Sequence, residues 1–136
     1  MNDLSPLARK LQLKTSSHLW VWPDDAAAAE MLHGEAGVER SGIDDADVAV
    51  IFAADRQEVD TVLAEHVSAL ATTRAVWIVY AKGNQTYMNR DTLWIQLAEY
   101  GWKAVSQVAY SETLSALRVR PLTPVIHGDL RIAGRE

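Results

Sequence analysis

Cysteine is absent from the 136 residues, which excludes thiol nucleophiles, cysteine-ligated zinc and disulfides. Glycine is scarce in an informative place: seven occur, but none between Leu19 and His33. The turn "WPDDAAAA" inside that stretch therefore cannot be a glycine-rich loop of the kind that brings backbone against a phosphate. Long hydrophobic runs are missing as well. Stretches such as Ala75 to Ala81 fall far short of the roughly 20 apolar residues that cross a bilayer, and the first 25 residues lack a signal peptide's basic-then-apolar order. These readings predict a cytoplasmic protein with no membrane contact. Positive charge is also in short supply, with a net charge of -5 at pH 7. Residues 24 to 65 hold twelve acids against Arg40 and Arg56, a local -10 that leaves +5 on the remainder. General nucleic-acid binding is not expected of such a chain, so any anion contact has to come from a local patch.

What is present reads as one α/β domain, since 136 residues can bury a single core of ordinary size. Leu4, Leu7, Ala8 and Leu11 recur at helical spacing and predict a short helix over 4 to 13, with Arg9 and Lys10 outward. "SHLWVW", residues 17 to 22, is a strand that stops at Pro23. "DDAAAAEMLHG" then reads as a helix capped by Asp24 or Asp25 and ended near Gly34, and residues 37 to 41 as one short strand. "VAVIFA", 48 to 53, is a buried strand. Asp55-Arg-Gln-Glu58 behind it has the spacing of a capping box, and Val59, Val62, Leu63, His66, Val67 and Leu70 mark one face of the helix that follows. Ala75 to Ala81 is apolar throughout, as a strand covered on both faces requires. Asn89 or Asp91 is expected to cap a helix whose Leu93, Trp94, Leu97 and Tyr100 point inward and which ends at Gly101. Lys103 to Tyr110 and Leu114 to Leu122 are separated by three residues, so they form an antiparallel hairpin.

This order resembles the C-terminal half of a class I methyltransferase fold over about residues 48 to 122. Only 25 residues separate Trp22 from Val48, so the expected fold is a single abridged Rossmann-like, methyltransferase-like domain, mostly parallel and ending in an antiparallel hairpin. The domain spans 1 to 122, and "TPVIHGDLRIAGRE", 123 to 136, is a tail outside it or an oligomer contact. The segments "SPLARKLQLK", "VWIVYAKG", "NRDTLW" and "VSQVAYSETLSALRVRP" resemble a bacterial family of small, functionally uncharacterised proteins, a domain of unknown function. The chain departs from that pattern at Ala81, where the family has proline, and at Leu114, where it has tryptophan. The resemblance implies the fold and carries no activity with it.

Catalytic and metal-binding signals are weak. Asp24 and Asp25 sit where a helix start would face an anionic cofactor, and Glu39 is the sole candidate for the acid at the end of the second strand that would grip a ribose, so no cofactor is expected. His18, His33, His66 and His127 lack metal-binding spacings, and "DDAD", 44 to 47, lacks the glycine and distal glutamate of a calcium loop. No catalytic or metal-ligating residue is assigned. His66 reads as a core or boundary histidine and the five tryptophans as core, with Trp20 and Trp22 set apart because they share one strand face. The candidate binding residues are four cations. Lys82 follows the strand 75 to 81, where Asp24, Asp25 and Asp55 are expected beside it, and Arg90 opens the next helix. Arg118 and Arg120 share one face of the last strand, where Lys103 on the partner strand, or Lys82 and Arg90 on neighbouring elements, would extend a patch for an anionic ligand or an acidic partner. The same arginines would equally serve as solvated charges guarding a sheet edge. A homodimer stays open. The expected function is a non-catalytic binding or regulatory module, the alternative an S-adenosylmethionine-dependent methyltransferase with an altered cofactor turn.

Overall fold

The computed structural model describes residues 6–14, 17–23, 32, 38–82 and 90–122, the side chain of Arg90 excepted. Ten elements follow in chain order: α1 (Pro6–Lys10), β1 (His18–Trp22), β2 (Glu39–Arg40), a 3-10 turn (Ile43–Asp45), β3 (Val48–Phe52), α2 (Arg56–Ala71), β4 (Ala75–Ala81), α3 (Arg90–Glu99), β5 (Trp102–Ala109) and β6 (Leu114–Pro121). They build one six-stranded sheet in the order β2-β1-β3-β4-β6-β5. The first four strands run parallel, and β6 is antiparallel to both β4 and β5. This is the mixed sheet of a methyltransferase-like Rossmann fold.

Strand periodicity sorts the apolar residues onto two faces. On one, Ala49, Ile51, Val76, Ile78, Leu117 and Val119 meet Val59, Val62, Leu63 and Leu70 of α2 and Leu93 and Leu97 of α3. On the other, Leu19, Val21, Val48, Val50 and Trp77 meet Ala8, Leu11 and Leu13 of the α1 segment. Each fully buried Val or Leu contributes roughly 1.5 to 3 kcal/mol, so neither layer is dispensable. Trp77 is pinned further, its Nε1 donating to the Leu11 carbonyl at 2.9 Å. α2 starts with a variant of the expected capping box: Asp55 Oδ1 accepts from the Glu58 amide at 2.9 Å, and Glu58 Oε1 accepts at 2.7 Å from the amide of Ala54, one residue before the cap.

Several expectations need correction. α1 ends at Lys10, because Gln12 turns to a φ of 67° and stops the helix well before residue 13. Asp91 lies inside the first turn of α3 instead of capping it, and Asn89 is outside the described residues. Trp94 is 50% exposed: Leu93, Gln96 and Leu97 turn to the core, and the intervening Trp94 and Ile95 face away from it. Arg118 and Arg120 guard no edge. β6 is an inner strand, and the edge on that side is β5, which carries a bulge at Val105. The helix expected over 24 to 34, with Asp24 and Asp25, and the tail 123 to 136 lie outside the described residues.

Candidate functional site

In open α/β sheets, ligands bind beyond the carboxyl ends of the strands, where the strand order reverses. Here that point lies between β1 and β3, the strands from which the chain departs to either side. Asp55 and Lys82 follow the neighbouring strands β3 and β4, as expected. The Asp55 carboxylate is committed to the cap of α2. Lys82 is half-buried and its amide donates to the Thr113 carbonyl at 2.9 Å, which ties the end of β4 to the β5–β6 turn. Phe52 and Tyr110 close the same end on the α1 face, edge to face at 5.4 Å, and burial pushes the Tyr110 phenol far up, so it stays neutral. Glu39 is not at this end. It pairs in register with His18, the first residue of β1, and its carboxylate lies 3.8 Å from the His18 Nε2. An acid at the amino end of the sheet cannot hold a ribose at the other.

The four candidate cations divide between the two ends. Arg118 stands opposite Trp77 in the β4–β6 register, five residues from Lys82, or roughly 16 Å along the strand. Its Nη2 donates to the Arg74 carbonyl at 3.4 Å, and Arg120 is exposed opposite Lys103 on β5. Arg90 begins α3, the helix after β4, so its backbone belongs with Lys82 and not with the arginine pair. Of the two extensions open from sequence, Lys103 adjoins the arginine pair, while Lys82 and Arg90 lie apart from it at the other end. Beside Arg118 lies a latch across the amino ends. Asp47 accepts from the His18 amide at 2.7 Å, from Ser17 Oγ at 3.1 Å and from Arg74 Nη2 at 2.9 Å, while Arg74 also reaches the Gln12 carbonyl at 2.8 Å. Burial pushes the Asp47 carboxyl up, but the hydrogen bonds from Arg74, His18 and Ser17 and the Arg74 charge outweigh it and hold the group below the ordinary value of 3.8. Among the described residues, no three His, Cys, Asp or Glu side chains gather as metal ligands.

A cavity of about 480 Å³ opens on the α2 face beside β1, lined by Trp20 and Trp22, by His66 of α2, and by Arg40, Ser41 and Gly42 at the end of β2. It exists because the crossover from β2 to β3 is short. Residues 41 to 47 pass over β1 with one 3-10 turn, Ile43–Asp45, where a parallel connection ordinarily spends a dozen residues and a helix. Among the described residues, none covers the sheet beside that turn. The ring of His66 meets Trp20 edge to face at 4.9 Å, and its Nε2 lies 3.6 Å from Glu65 Oε1. Val21 packs its side chain on the opposite face, so it lines the cavity through backbone. The shared strand face of Trp20 and Trp22 was the one signal of this cavity in the sequence. Arg40 and Ser41 gave none, because only the register of β2 against β1 brings them there.

No family model matches the chain, and no curated protein does. Solved structures do. A protein of the NADB-Rossmann superfamily from Streptococcus agalactiae superposes with a TM-score of 0.54 at 12% identity, over 88% of this chain and 69% of that one. The B. subtilis m1A22 tRNA methyltransferase TrmK gives 0.54 at 9% identity, over 89% and 68%. DhpI in complex with SAH gives 0.53 at 14% identity, over 85% and 81%. The chain spans 69% of the first of these and 64% of a Streptococcus pneumoniae protein, Sp1610, described as a tRNA (m1A22) methyltransferase. At such identities the likeness establishes the methyltransferase-like Rossmann fold alone.

Proposed function

We propose that this chain is a non-catalytic binding or regulatory module on a methyltransferase-like scaffold, and that its small-molecule site is the lateral cavity at Trp20, Trp22 and His66. The cavity carries the reading: its 480 Å³ falls within the roughly 300 to 1,000 Å³ of small-ligand sites, and it pairs apolar rings with a few polar groups. The carboxyl end supports the non-catalytic half of the proposal. Asp55 is spent on a helix cap, Glu39 stands at the opposite end, and residues 23 to 33, directly after β1, hold no glycine to admit a cofactor. The test is calorimetry with S-adenosylmethionine, S-adenosylhomocysteine and NAD, joined to a small-molecule thermal-shift screen of the wild type against Trp22→Leu. The reading expects no saturable micromolar site for the three cofactors and at least one stabilising compound lost in the variant.

The alternative is an S-adenosylmethionine-dependent methyltransferase with an altered cofactor turn. The observation in its favour is the sheet itself, whose likeness to DhpI, a protein seen with SAH, covers 85% of this chain. One saturable site for S-adenosylhomocysteine, unaffected by Trp22→Leu, would replace the first reading with this one.

A further inference from the structure

The cavity's chemistry narrows its ligand, on the reading that it is the ligand site. We infer that it takes a planar heteroaromatic ring with a ring N–H and a single carboxylate. The ring follows from the walls. Trp20 and Trp22 extend from the same face of β1, both partly buried against the core, and the 63° interplanar angle of Trp20 on His66 fixes two ring planes before any ligand arrives. A third flat ring gains stacking or edge-to-face contact with them, without ordering flexible side chains.

The charge follows from what surrounds the rings. Among the described residues of the lining, Arg40 is the permanent cation and none is a carboxylate. Arg40 is already partnered in the protein, and a guanidinium, with five N–H donors, can serve a carboxylate as well. A cationic ring would have to sit against that guanidinium. A phosphate dianion meets the opposite problem, since Asp44 and Asp45 lie in the 3-10 turn that Gly42 caps and Glu65 stands beside His66. One negative charge fits between these limits. The ring N–H follows from Ser41. Its Oγ donates to the Gly42 carbonyl at 3.0 Å, so its hydroxyl proton is spent and its lone pairs remain as acceptors.

Calorimetry with indole-3-acetate, indole, tryptamine and 1-methylindole-3-acetate varies one feature at a time on the same ring. Indole-3-acetate is expected to bind saturably, about tenfold or more tighter than indole, with tryptamine and the N-methyl compound weaker than their parents. Arg40→Gln should bring indole-3-acetate to the level of indole and leave indole unchanged. Trp22→Leu should abolish binding of all four. Gly42→Leu provides a second block that spares the core, because Gly42 has a φ of -71° and a Cβ built there meets nothing within 4 Å. Equal binding of indole-3-acetate and tryptamine, or tighter binding of tryptamine, would overturn the anion. Equal binding of the N-methyl compound would overturn the ring N–H. If no indole binds while another compound still stabilises the wild type and not Gly42→Leu, the ligand class is wrong and the cavity remains the site. If no compound distinguishes the wild type from either variant, the proposed function falls with it.

Discussion

At the scale of single residues, Asp47 has the most consequential contacts outside the cavity. It joins the start of β1 to Arg74 ahead of β4, fixing the amino ends of strands that are distant in sequence. Its folded pKa is depressed, so its contribution is fully present above the ordinary 3.8 and is lost as pH falls through the folded value. Asp47→Asn removes the charge and keeps most of the shape. With the Asp47 and Arg74 side chains about one-third exposed, the expected loss is modest, about 1 kcal/mol near neutral pH. The difference between variant and wild type should shrink as pH falls from 3.8 through the lowered folded value, below which the Asp47 carboxyl is neutral like the asparagine. Urea unfolding at pH 7 and pH 3 measures both, and an equal difference at the two pH values would show that the charge plays no part. Nothing local in "DDAD" separates Asp47 from Asp44 and Asp45. Its main partner lies 27 residues away, which is why the sequence reads the three together as a turn.

Elements whose signals are local were legible, and those that depend on a distant surface were less so. The Asp55–Glu58 box needs partners three and four residues apart, and it forms as read with its return bond shifted to Ala54. Asp55→Ala should cost about 1 kcal/mol, chiefly through α2. Gly101, after α3, has a φ of 77°, and a Cβ there meets nothing within 4 Å, so Gly101→Ala should cost about 1 kcal/mol from backbone conformation alone. Thermal or urea unfolding of the two variants would test this pair, and an unchanged midpoint for Gly101→Ala would mean that the turn relaxes freely. The facing of α3 was less legible. Leu93, Trp94 and Ile95 are consecutive apolar residues, and residue type favours burying the tryptophan over the glutamine. The structure does the reverse: Gln96 is 1% exposed, its Nε2 donating to the Arg56 carbonyl and to Asp60 Oδ1, both at 2.8 Å. Tyr100 adds a bond to the same carboxylate at 2.9 Å, and that hydrogen bond, with slight burial and the Asp60 and Glu99 charges, raises its pKa. The polar seam between α2 and α3 decides the rotation of the helix, and it is visible only once the two helices are paired.

Across the whole molecule, the parallel strands and the closing hairpin could be read from alternation and loop length, while the position of β6 between β4 and β5 could not, because sequence adjacency does not say which hairpin strand joins the sheet. That position separates charge. Glu39 lies on β2 at one edge and Asp44 and Asp45 in the crossover beside β1, while Arg118, Arg120 and Lys103 lie on β6 and β5 at the other. Arg120 and Lys103 are direct cross-strand partners on the face away from α2, a like-charge pair that costs stability unless an anion stands over it. The chain should therefore bind a polyanion weakly through this strip despite its net charge of -5, with an affinity that falls as salt rises. Heparin chromatography at low ionic strength is expected to retard the wild type, and Arg118→Gln/Arg120→Gln to elute without delay. The double variant should not lose stability beyond the single 3.4 Å bond from Arg118 to the Arg74 carbonyl, and relief of the Arg120–Lys103 repulsion offsets part of even that. Arg120→Gln alone should be slightly more stable than the wild type at low salt and equal to it at high salt. Elution of wild type and double variant at the same position would reduce the strip to solvated charge.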